Sequence, residues 1–487
     1  MSDDVRDRRP APSPERIKLT PLERYFAATL AAPTIDPSMT FGCQLHLSGH
    51  LNRDRLLRSW RTTIAEHPRT FARLDPRSMI LQTRSAGVDA TIAEARSNLP
   101  FSDTQWLQHV DPRNGQGVRL EIQTDGDRWR LLFSFHHAIC DGVGASRLIY
   151  ATMRRYAGRP VQSVQPSTSA KSSTIPATSK SNLNTAQNDT PPAGPLAPLK
   201  HLWHTVAGHN GRLDATFNPM VHEHNHIPPP NQSPHYDPPD GTPDRVAYRT
   251  IDAQRSDVML DFCRRTQTPL NDLMVAAVMA VASTQMRRRF GRRVAVMNPV
   301  GRRSFANRRF VGNALGLAIL RRKLADIPPS PLGAMEHLMD SIPGELDYVR
   351  DHDVSAEFEI GLAAAGRIPG SIAVIERLGI FRPTAMVSTL SAFDIGARMG
   401  GTPAGHANPA ADVVGDYGQI DRLLVRDFRV VGVRPRGCDA SVMVWRLGRR
   451  IGTSLRIDAV TNNNSVAESL LAAITDTASS YAEKRSS

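Results

Sequence analysis

Apolar residues recur every three to four positions in several stretches of the chain, which is the period of a helix with one buried face. Leu56, Trp60 and Ile64 follow this period, and they predict a helix that Asn52 or Asp54 caps. The apolar run "RWRLLFSF" predicts a buried strand, and "DGVGASRLIYATMRRYAGRP" predicts a helix directly after it. The first half of the chain therefore mixes helices and strands.

The second half, from about residue 244, repeats this mixture. The segment "TPLNDLMVAAVMAVAS" is apolar on all sides of the helix that it predicts, so we expect a deeply buried helix. Strands are predicted for "GRRVAVMNPVG", "LGLAILRRK", "LLVRDFRVVGV", "ASVMVWRL" and "RIGTSLRIDAV", and a last helix for "SVAESLLAAITDTASSYAE". Two comparable halves of mixed structure predict an α/β or α+β two-layer architecture.

The composition changes between the two halves. Residues 160–195 are dense in Ser, Thr, Pro, Ala and Asn. Such a segment cannot bury enough apolar surface to offset the entropy lost when it becomes ordered. The predicted organisation is a disordered N-terminus over residues 1–14, an N-terminal subdomain over 15–158, a low-complexity insertion or linker over 159–243 and a C-terminal subdomain over 244–482.

The chain of 487 residues has a formal charge of +13, and only six of its 60 basic residues are lysines. Arginine binds phosphate groups well, but the arginines are spread along the chain without a zinc-finger or RNA-recognition motif, so nucleic-acid binding is not expected. No apolar run approaches the ~20 residues of a membrane span, and the charged start lacks the apolar core of a secretory signal. Four widely spaced cysteines form no CxxC pair. We expect a cytoplasmic monomer, with attachment to an acidic membrane surface left open.

Two histidines, an aspartate and two glycines follow the strand predicted for "RLLFSF". Side chains alternate along a strand, so His136 and His137 would point to opposite faces, which disfavours a metal site built from both rings and Asp141. His137 would lie on the apolar face, where a neutral imidazole is a suitable general base. Gly142 and Gly144 would let other atoms approach the turn closely. Two hydrogen-bonded core histidines with an aspartate helix cap explain these residues equally well.

The stretch "HHAICDG" resembles the HHxxxDG signature of an acyltransferase superfamily. This superfamily includes chloramphenicol acetyltransferase, condensation domains of peptide synthetases, wax-ester synthase/diacylglycerol acyltransferases and polyketide-associated acyltransferases. Further segments resemble it in the expected order: "LTPLERYF", "LNRDRLLRSWRTTIAEHPRTFARL", "TPLNDLMVAAVMAVA", "GRRSFANRRFVGNALG" and "VSTLSAFD". The resemblance covers nearly the whole chain except the insertion. It implies two chloramphenicol acetyltransferase-like subdomains that form a pseudo-dimer with a central cleft.

The resemblance also implies roles for single residues. His137 would accept the proton from an acceptor hydroxyl or amine as the acceptor attacks a thioester carbonyl. Asp141 would turn away from the substrate and pair with an arginine of the second half. Spacing favours Arg302 as this partner, and the wax-ester alignment favours Arg303.

Three further positions belong to the implied catalytic site. His136 is the first histidine of the motif, and Gly142 would keep the approach to His137 open. Ser388 is a candidate donor to the oxyanion of the tetrahedral intermediate. Thr389, beside it, stands where relatives carry asparagine.

The implied reaction is acyl transfer from a thioester to a small alcohol or amine, without a metal ion or a bound cofactor. A coenzyme A thioester is the expected co-substrate, because no carrier-protein or adenylation domain is attached. Two alternatives stay open: a condensation-type enzyme that works with a separate acyl carrier protein, and a non-catalytic binding protein of the same fold.

Other candidate residues have simpler explanations. Cys140 lies three residues after His137, but a buried cysteine is usually an inert small hydrophobe. His222, His224 and His226 alternate and could bind zinc or nickel if extended, but a fourth ligand is missing. The basic run "QMRRRFGRR" at residues 285–293 could contact the phosphates of coenzyme A or an acidic carrier protein, and a solvated basic edge explains it as well.

Overall fold

Both halves of the computed structural model contain helices and strands, as the sequence predicts. The structure describes residues 16–28, 30, 39–83, 87–94, 110–161, 244–285, 293–303, 310–355, 359, 383–390, 419–421, 423–435, 438–447, 449–458 and 464–486. The predicted disordered terminus at residues 1–14 lies outside these ranges, as does all but the first three residues of the predicted insertion over 159–243.

The helices in the described ranges are α1 (Pro21–Ala28), α2 (Arg53–Ala65), α3 (Gly142–Tyr156), α4 (Ala253–Thr266), α5 (Leu270–Gln285), α6 (Pro331–Met339), α7 (Ile342–Asp351) and α8 (Asn464–Lys484). The strands are β1 (Arg16–Lys18), β2 (Thr40–Ser48), β3 (Arg73–Asp75), β4 (Ile80–Gln82), β5 (Ile92–Glu94), β6 (Val118–Asp125), β7 (Arg128–His136), β8 (Asp244–Thr250), β9 (Arg293–Gly301), β10 (Leu315–Lys323), β11 (Ala385–Leu390), β12 (Gln419–Ile420), β13 (Leu423–Val431), β14 (Ala440–Leu447) and β15 (Arg450–Asp458). None of these helices combines the length and the apolar character that crossing a membrane requires.

Two six-stranded sheets organise the molecule. The first has the strand order β12-β13-β2-β7-β6-β5, and the second has the order β10-β9-β11-β14-β15-β8. A small third sheet joins β1, β4 and β3. Helices α2 and α3 share the hydrophobic core of the first sheet, and α5, α6 and α8 share the core of the second. The predicted two-layer α+β fold is therefore confirmed.

Helices α2 and α5 have the cap and the buried faces that the sequence predicts. The side chain of Asn52 caps α2 by accepting a hydrogen bond from the amide of Arg55 at 3.0 Å. Trp60 lies on the buried face of α2, with its ring 5.7 Å from the ring of Phe133 in β7. In the second half, α5 is buried continuously from residue 272 to residue 283, which matches its apolar character on all sides.

Strands β12 and β13 belong to the first sheet, although their residues lie within the predicted C-terminal subdomain. We predicted residues 244–482 as one contiguous subdomain, and this prediction is wrong for residues 419–431, because β13 pairs with β2 of the first sheet. The pairing is antiparallel and runs from Leu424 opposite Ser48 to Val431 opposite Gly42. Alternation along a strand reports which face is buried, but it does not identify the strand beside it.

A buried cluster of charged residues joins the two large sheets. Arg456 of β15 donates to a carboxylate oxygen of Asp244 at 2.7 Å, and Arg434 donates to the other oxygen at 2.6 Å. The same Arg456 side chain donates to the carbonyl oxygens of Thr40, at the start of β2, and Gly432, just after β13. Only 3% of the Arg456 side chain is exposed, so its ion pair with Asp244 is shielded from solvent.

We predict that Asp244→Asn lowers the free energy of unfolding by about 3–5 kcal/mol, because it removes the buried carboxylate that forms ion pairs with both Arg434 and Arg456. Chemical denaturation followed by tryptophan fluorescence measures the loss. The control is Asp261→Asn, which removes a solvent-exposed pair with Arg265 on α4 and should cost no more than about 0.5 kcal/mol. Equal losses in the two variants would contradict a special role for the buried cluster.

Candidate active site

The HHxxxDG segment forms a tight turn between β7 and α3. Strand β7 ends at His136, and α3 begins at Gly142. Within the turn, the amide of Ile139 donates to the carbonyl oxygen of His136 at 2.9 Å, and the amide of Ala138 donates to Nδ1 of the His136 ring at 3.1 Å. His136 is 1% exposed, so its ring is part of the turn.

His137 lies at the start of this turn in an aromatic environment. Its ring centroid is 4.3 Å from the ring of Phe26 in α1 and 5.2 Å from the ring of Phe41 in β2. The side chain is 8% exposed, which agrees with the apolar position predicted from strand alternation. Burial lowers the pKa of His137 below the ordinary value of 6.5, although the Asp141 carboxylate, the His137 backbone, the Asn313 side chain and Glu23 oppose this effect. His137 is therefore neutral at pH 7, the form that can accept a proton.

Asp141 is fully buried and accepts three hydrogen bonds. Its Oδ1 caps α3 by accepting from the amide of Gly144 at 2.8 Å, and it also accepts from Nη2 of Arg303 at 2.6 Å. Its Oδ2 accepts from the amide of Ala314 at 3.0 Å. Arg303 and Ala314 belong to the second half of the chain, so this one carboxylate fixes the start of α3 against the second half.

The preference for Arg302 as the partner of Asp141 is wrong, and Arg303 takes this role. Arg302 instead donates to Asp353 at 2.8 Å and to Glu359 at 2.9 Å. The amide of Arg302 donates to the carbonyl of Ala314, which continues the pairing of β9 with β10 past the end of β9. Neighbouring side chains on an extended backbone point in opposite directions, so only one of the two arginines can face Asp141.

The two glycines of the turn face atoms of the second half. A Cβ atom on Gly142 would lie 2.7 Å from a methyl group of Leu390 in β11. A Cβ atom on Gly144 would lie 1.9 Å from the backbone oxygen of Val311, which is far inside contact distance. We expected Gly142 to keep the approach to His137 open, but in the structure its missing side chain makes room for Leu390.

Ser388, the candidate oxyanion donor, lies two residues before Leu390 on β11 and is partly exposed. Side chains two apart on a strand share a face, so Ser388 lies on the face of β11 that contacts the start of α3. The second half thus places the Ser388 side chain on the face of β11 that meets the HHxxxDG turn.

Glu23, Arg69 and Asn313 stabilise the turn, and none of them was among the predicted site residues. Arg69 donates to the carbonyl oxygen of Ile139 at 2.9 Å and forms a buried ion pair with Glu23. Asn313 donates to the carbonyl oxygen of His137 at 2.6 Å. A sequence signal existed for Glu23 alone, since "TPLE" is a capping box at the start of a helix. Its pairing with Arg69 has no sequence signal.

The remaining candidates contribute no site in the described part of the chain. Cys140 is a free thiol, and burial raises its pKa well above the ordinary value, which disfavours a nucleophilic thiolate. Among the described residues, no group of three or more His, Cys, Asp or Glu side chains is placed to hold a metal ion. His222, His224 and His226 lie outside the described residues, as does the basic run 285–293 except for its two end residues.

Comparison of sequences gives a partial match to known proteins. No family model matches the chain. The chain is 31% identical over 158 residues to the uncharacterized proteins MT2362 and Rv2305 of two strains of Mycobacterium tuberculosis. This match covers 30% of the chain and 34% of each relative, so it spans about a third of the length of the curated relatives.

Comparison of structures covers nearly the whole chain. The condensation domain of the monacolin K polyketide synthase MokA is similar with a TM-score of 0.60 at 12% identity, over 97% of this chain and 98% of that one. Trichothecene 15-O-acetyltransferase TRI3 of Fusarium sporotrichioides gives 0.63 at 11% identity, over 96% and 95%. Polyketide synthase associated protein 5 of Mycobacterium tuberculosis gives 0.56 at 13% identity, over 96% and 98%. The chain therefore shares its fold with these condensation-domain and acyltransferase structures, which confirms the fold that the resemblance implied.

We predict that Arg303→Met lowers the free energy of unfolding by about 3–5 kcal/mol, because it leaves the Asp141 carboxylate buried without a counter-charge. Arg302→Met removes the neighbouring arginine, whose partners Asp353 and Glu359 are 53% and 17% exposed, and should cost less because neither carboxylate is as completely buried as Asp141. Urea denaturation of both variants measures the difference. A larger loss for Arg302→Met would reverse our assignment of the Asp141 partner.

A second prediction concerns the close approach of α3 to the second half. Gly144→Ala should destabilise the protein by about 1–3 kcal/mol, because the added methyl group meets a backbone oxygen that cannot move cheaply. The matched control is Gly344→Ala in α7, where nothing lies within 4 Å of the added atom. The control should be neutral or stabilising by up to about 1 kcal/mol, since alanine favours helix. Thermal denaturation distinguishes the opposite signs.

Proposed function

We propose that the protein is an acyltransferase that moves an acyl group from a thioester to an alcohol or amine, with His137 as general base. The observation that carries this proposal is the buried, neutral imidazole of His137, which lies on a turn that both halves of the chain hold in place. The fold shared with condensation domains and with an acetyltransferase supports it.

The proposed reaction needs one base and one leaving thiol. His137 accepts the proton of the acceptor hydroxyl or amine while the acceptor atom attacks the thioester carbonyl carbon. The resulting tetrahedral oxyanion would accept a hydrogen bond from Ser388 or from backbone amides. When the intermediate collapses, the carbon–sulfur bond breaks, and the His137 imidazolium returns its proton to the departing thiolate. Atoms and charges balance without a metal ion or bound cofactor.

Asp141 has a structural role in this proposal. Its two oxygens are occupied by the amides of Gly144 and Ala314 and by Arg303, so it cannot act as the proton carrier for His137. Its negative charge nevertheless opposes the effect of burial on the pKa of His137. Asp141 therefore positions the turn and keeps the imidazole sufficiently basic for proton transfer.

We propose a coenzyme A thioester as the acyl donor and a small molecule as the acceptor. The similarity to condensation domains favours a second candidate, in which the donor is attached to a separate acyl carrier protein. A single measurement distinguishes the two candidate donors. Turnover with acylated carrier but not with acyl-coenzyme A would select the second.

We predict that His137→Ala lowers the rate of acyl transfer by about 10²–10⁴-fold, the usual contribution of a general base. The assay offers a panel of acyl-coenzyme A thioesters and alcohols or amines and measures the release of free thiol. His352→Ala, which removes an exposed histidine at the end of α7, is the control and should keep the wild-type rate. Equal rates for His137→Ala and wild type would exclude His137 as the base.

The same assay gives a pH profile. A general base is active when deprotonated, so the rate should rise through the pKa of His137 and stay level above it. Because burial lowers this pKa below 6.5, the rising limb should lie below pH 6.5. A rising limb above that value would show that another group is the base.

A further inference from the structure

Glu23 is a fully buried carboxylate near His137 that the proposed reaction does not use. It stands in the first turn of α1, where its Oε2 accepts from the amide of Thr20 at 2.9 Å, while the Thr20 hydroxyl accepts from the amide of Glu23 at 3.2 Å. This reciprocal pair is a capping box, which either glutamate or glutamine can complete. Capping alone therefore does not need a charge at this position.

The second oxygen of Glu23 has different partners. Oε1 forms the buried ion pair with Arg69 and accepts from the backbone amide of Asn313 at 3.3 Å. Arg69 holds the carbonyl oxygens of Ile139 and Ala138 at 2.9 and 3.4 Å, and Asn313 holds that of His137 at 2.6 Å. In the described part of the chain, Arg69 and Asn313 are thus the residues whose side chains donate to these three carbonyl groups, and both side chains contact the same oxygen of Glu23.

We infer that Glu23 is a positioning residue for His137, acting through Arg69 and Asn313 on the backbone of the HHxxxDG turn. This inference rests on the proposed function, since it assigns Glu23 to the orientation of the proposed base. The Glu23 charge therefore orients His137 in addition to the role of the side chain in capping α1.

The position of Phe26 on the same helix strengthens the inference. Phe26 follows Glu23 by three residues, and residues three apart lie on one face of a helix. The Phe26 ring contacts the His137 ring at 4.3 Å between centroids. One face of α1 therefore touches the imidazole directly and also fixes, through Glu23, the backbone that carries it.

The charges around His137 determine what the loss of Glu23 would do. Two buried ion pairs surround the turn: Asp141 with Arg303, and Glu23 with Arg69. Both carboxylates favour the protonated form of His137. Removal of the Glu23 charge leaves the Arg69 charge unopposed, and both changes disfavour protonation of the imidazole. The pKa of His137 should therefore fall, and its strength as a base should fall with it.

The decisive variant is Glu23→Gln, which keeps the capping box and removes the charge. We expect kcat to fall by about 10²-fold, as for other misplaced catalytic groups, with little change in KM and a rising limb of the pH profile at lower pH than in wild type. An NMR titration of the protein with ¹³C-labelled histidine measures the pKa of His137 independently of activity. Its signal is identified by its absence in His137→Ala.

The control for a general loss of stability is Glu345→Gln, which breaks the buried Glu345–Arg322 pair in the second half. It should destabilise the protein without moving the pH profile or the His137 titration. If Glu23→Gln does not fold, the double variant Glu23→Gln/Arg69→Met removes both charges. It should be more stable than Glu23→Gln but less stable than wild type, and it should keep a low kcat, because two carbonyl groups of the turn have lost their donor.

The possible results separate the two proposals. A lower kcat with an unshifted pH profile and His137 titration would overturn the role of Glu23 and leave the acyltransferase proposal intact. A shifted His137 titration in a protein that transfers no acyl group would support the link between Glu23 and His137 and reject the proposed function. A full kcat in Glu23→Gln would overturn the inference directly.

Discussion

The arrangement of the site depends on how the polar backbone of one buried turn is satisfied. The carbonyl groups of residues 137–139 lie between β7 and α3, and within the described ranges no backbone amide donates to them. Buried carbonyl groups without partners are costly, and in this protein Arg69 and Asn313 supply the missing hydrogen bonds. The conformation that presents His137 is thus stabilised by side chains that are far away in the sequence.

The second half contributes to this turn mainly through residues 311–314. The amides of Asn313 and Ala314 donate to Glu23 and Asp141, the two buried carboxylates beside the turn. The carbonyl of Gly312 accepts from Arg303, and that of Val311 occupies the space that the missing side chain of Gly144 leaves free. This short segment is neither helix nor strand, and each of its four residues contacts the turn or one of the charged side chains beside it. Together with Arg456 and strand β13, it connects the two halves of the chain.

The structural comparisons and the site support different parts of the interpretation. Proteins with 11–13% identity share the fold over nearly the whole chain, which shows that the fold tolerates very different sequences. Because one fold can carry many activities, the proposed acyl transfer is argued from the His137 imidazole and its surroundings. A neutral histidine between two aromatic rings, with its backbone held from both halves, is suited to accept a proton from a bound substrate.

The amino-acid sequence by itself determined the local structure. The period of apolar residues and the cap at Asn52 predict α2, the uniformly apolar "LMVAAVMAVAS" predicts the buried α5, and strand alternation places His137 on an apolar face. Only the tertiary structure decided the long-range partners: β13 beside β2, Arg303 rather than Arg302 on Asp141, and Arg69 on Glu23. The physical reason is that a periodic pattern records which side of an element is buried. The partner on that side is set by packing between segments up to several hundred residues apart, and the period of either segment contains no information about it.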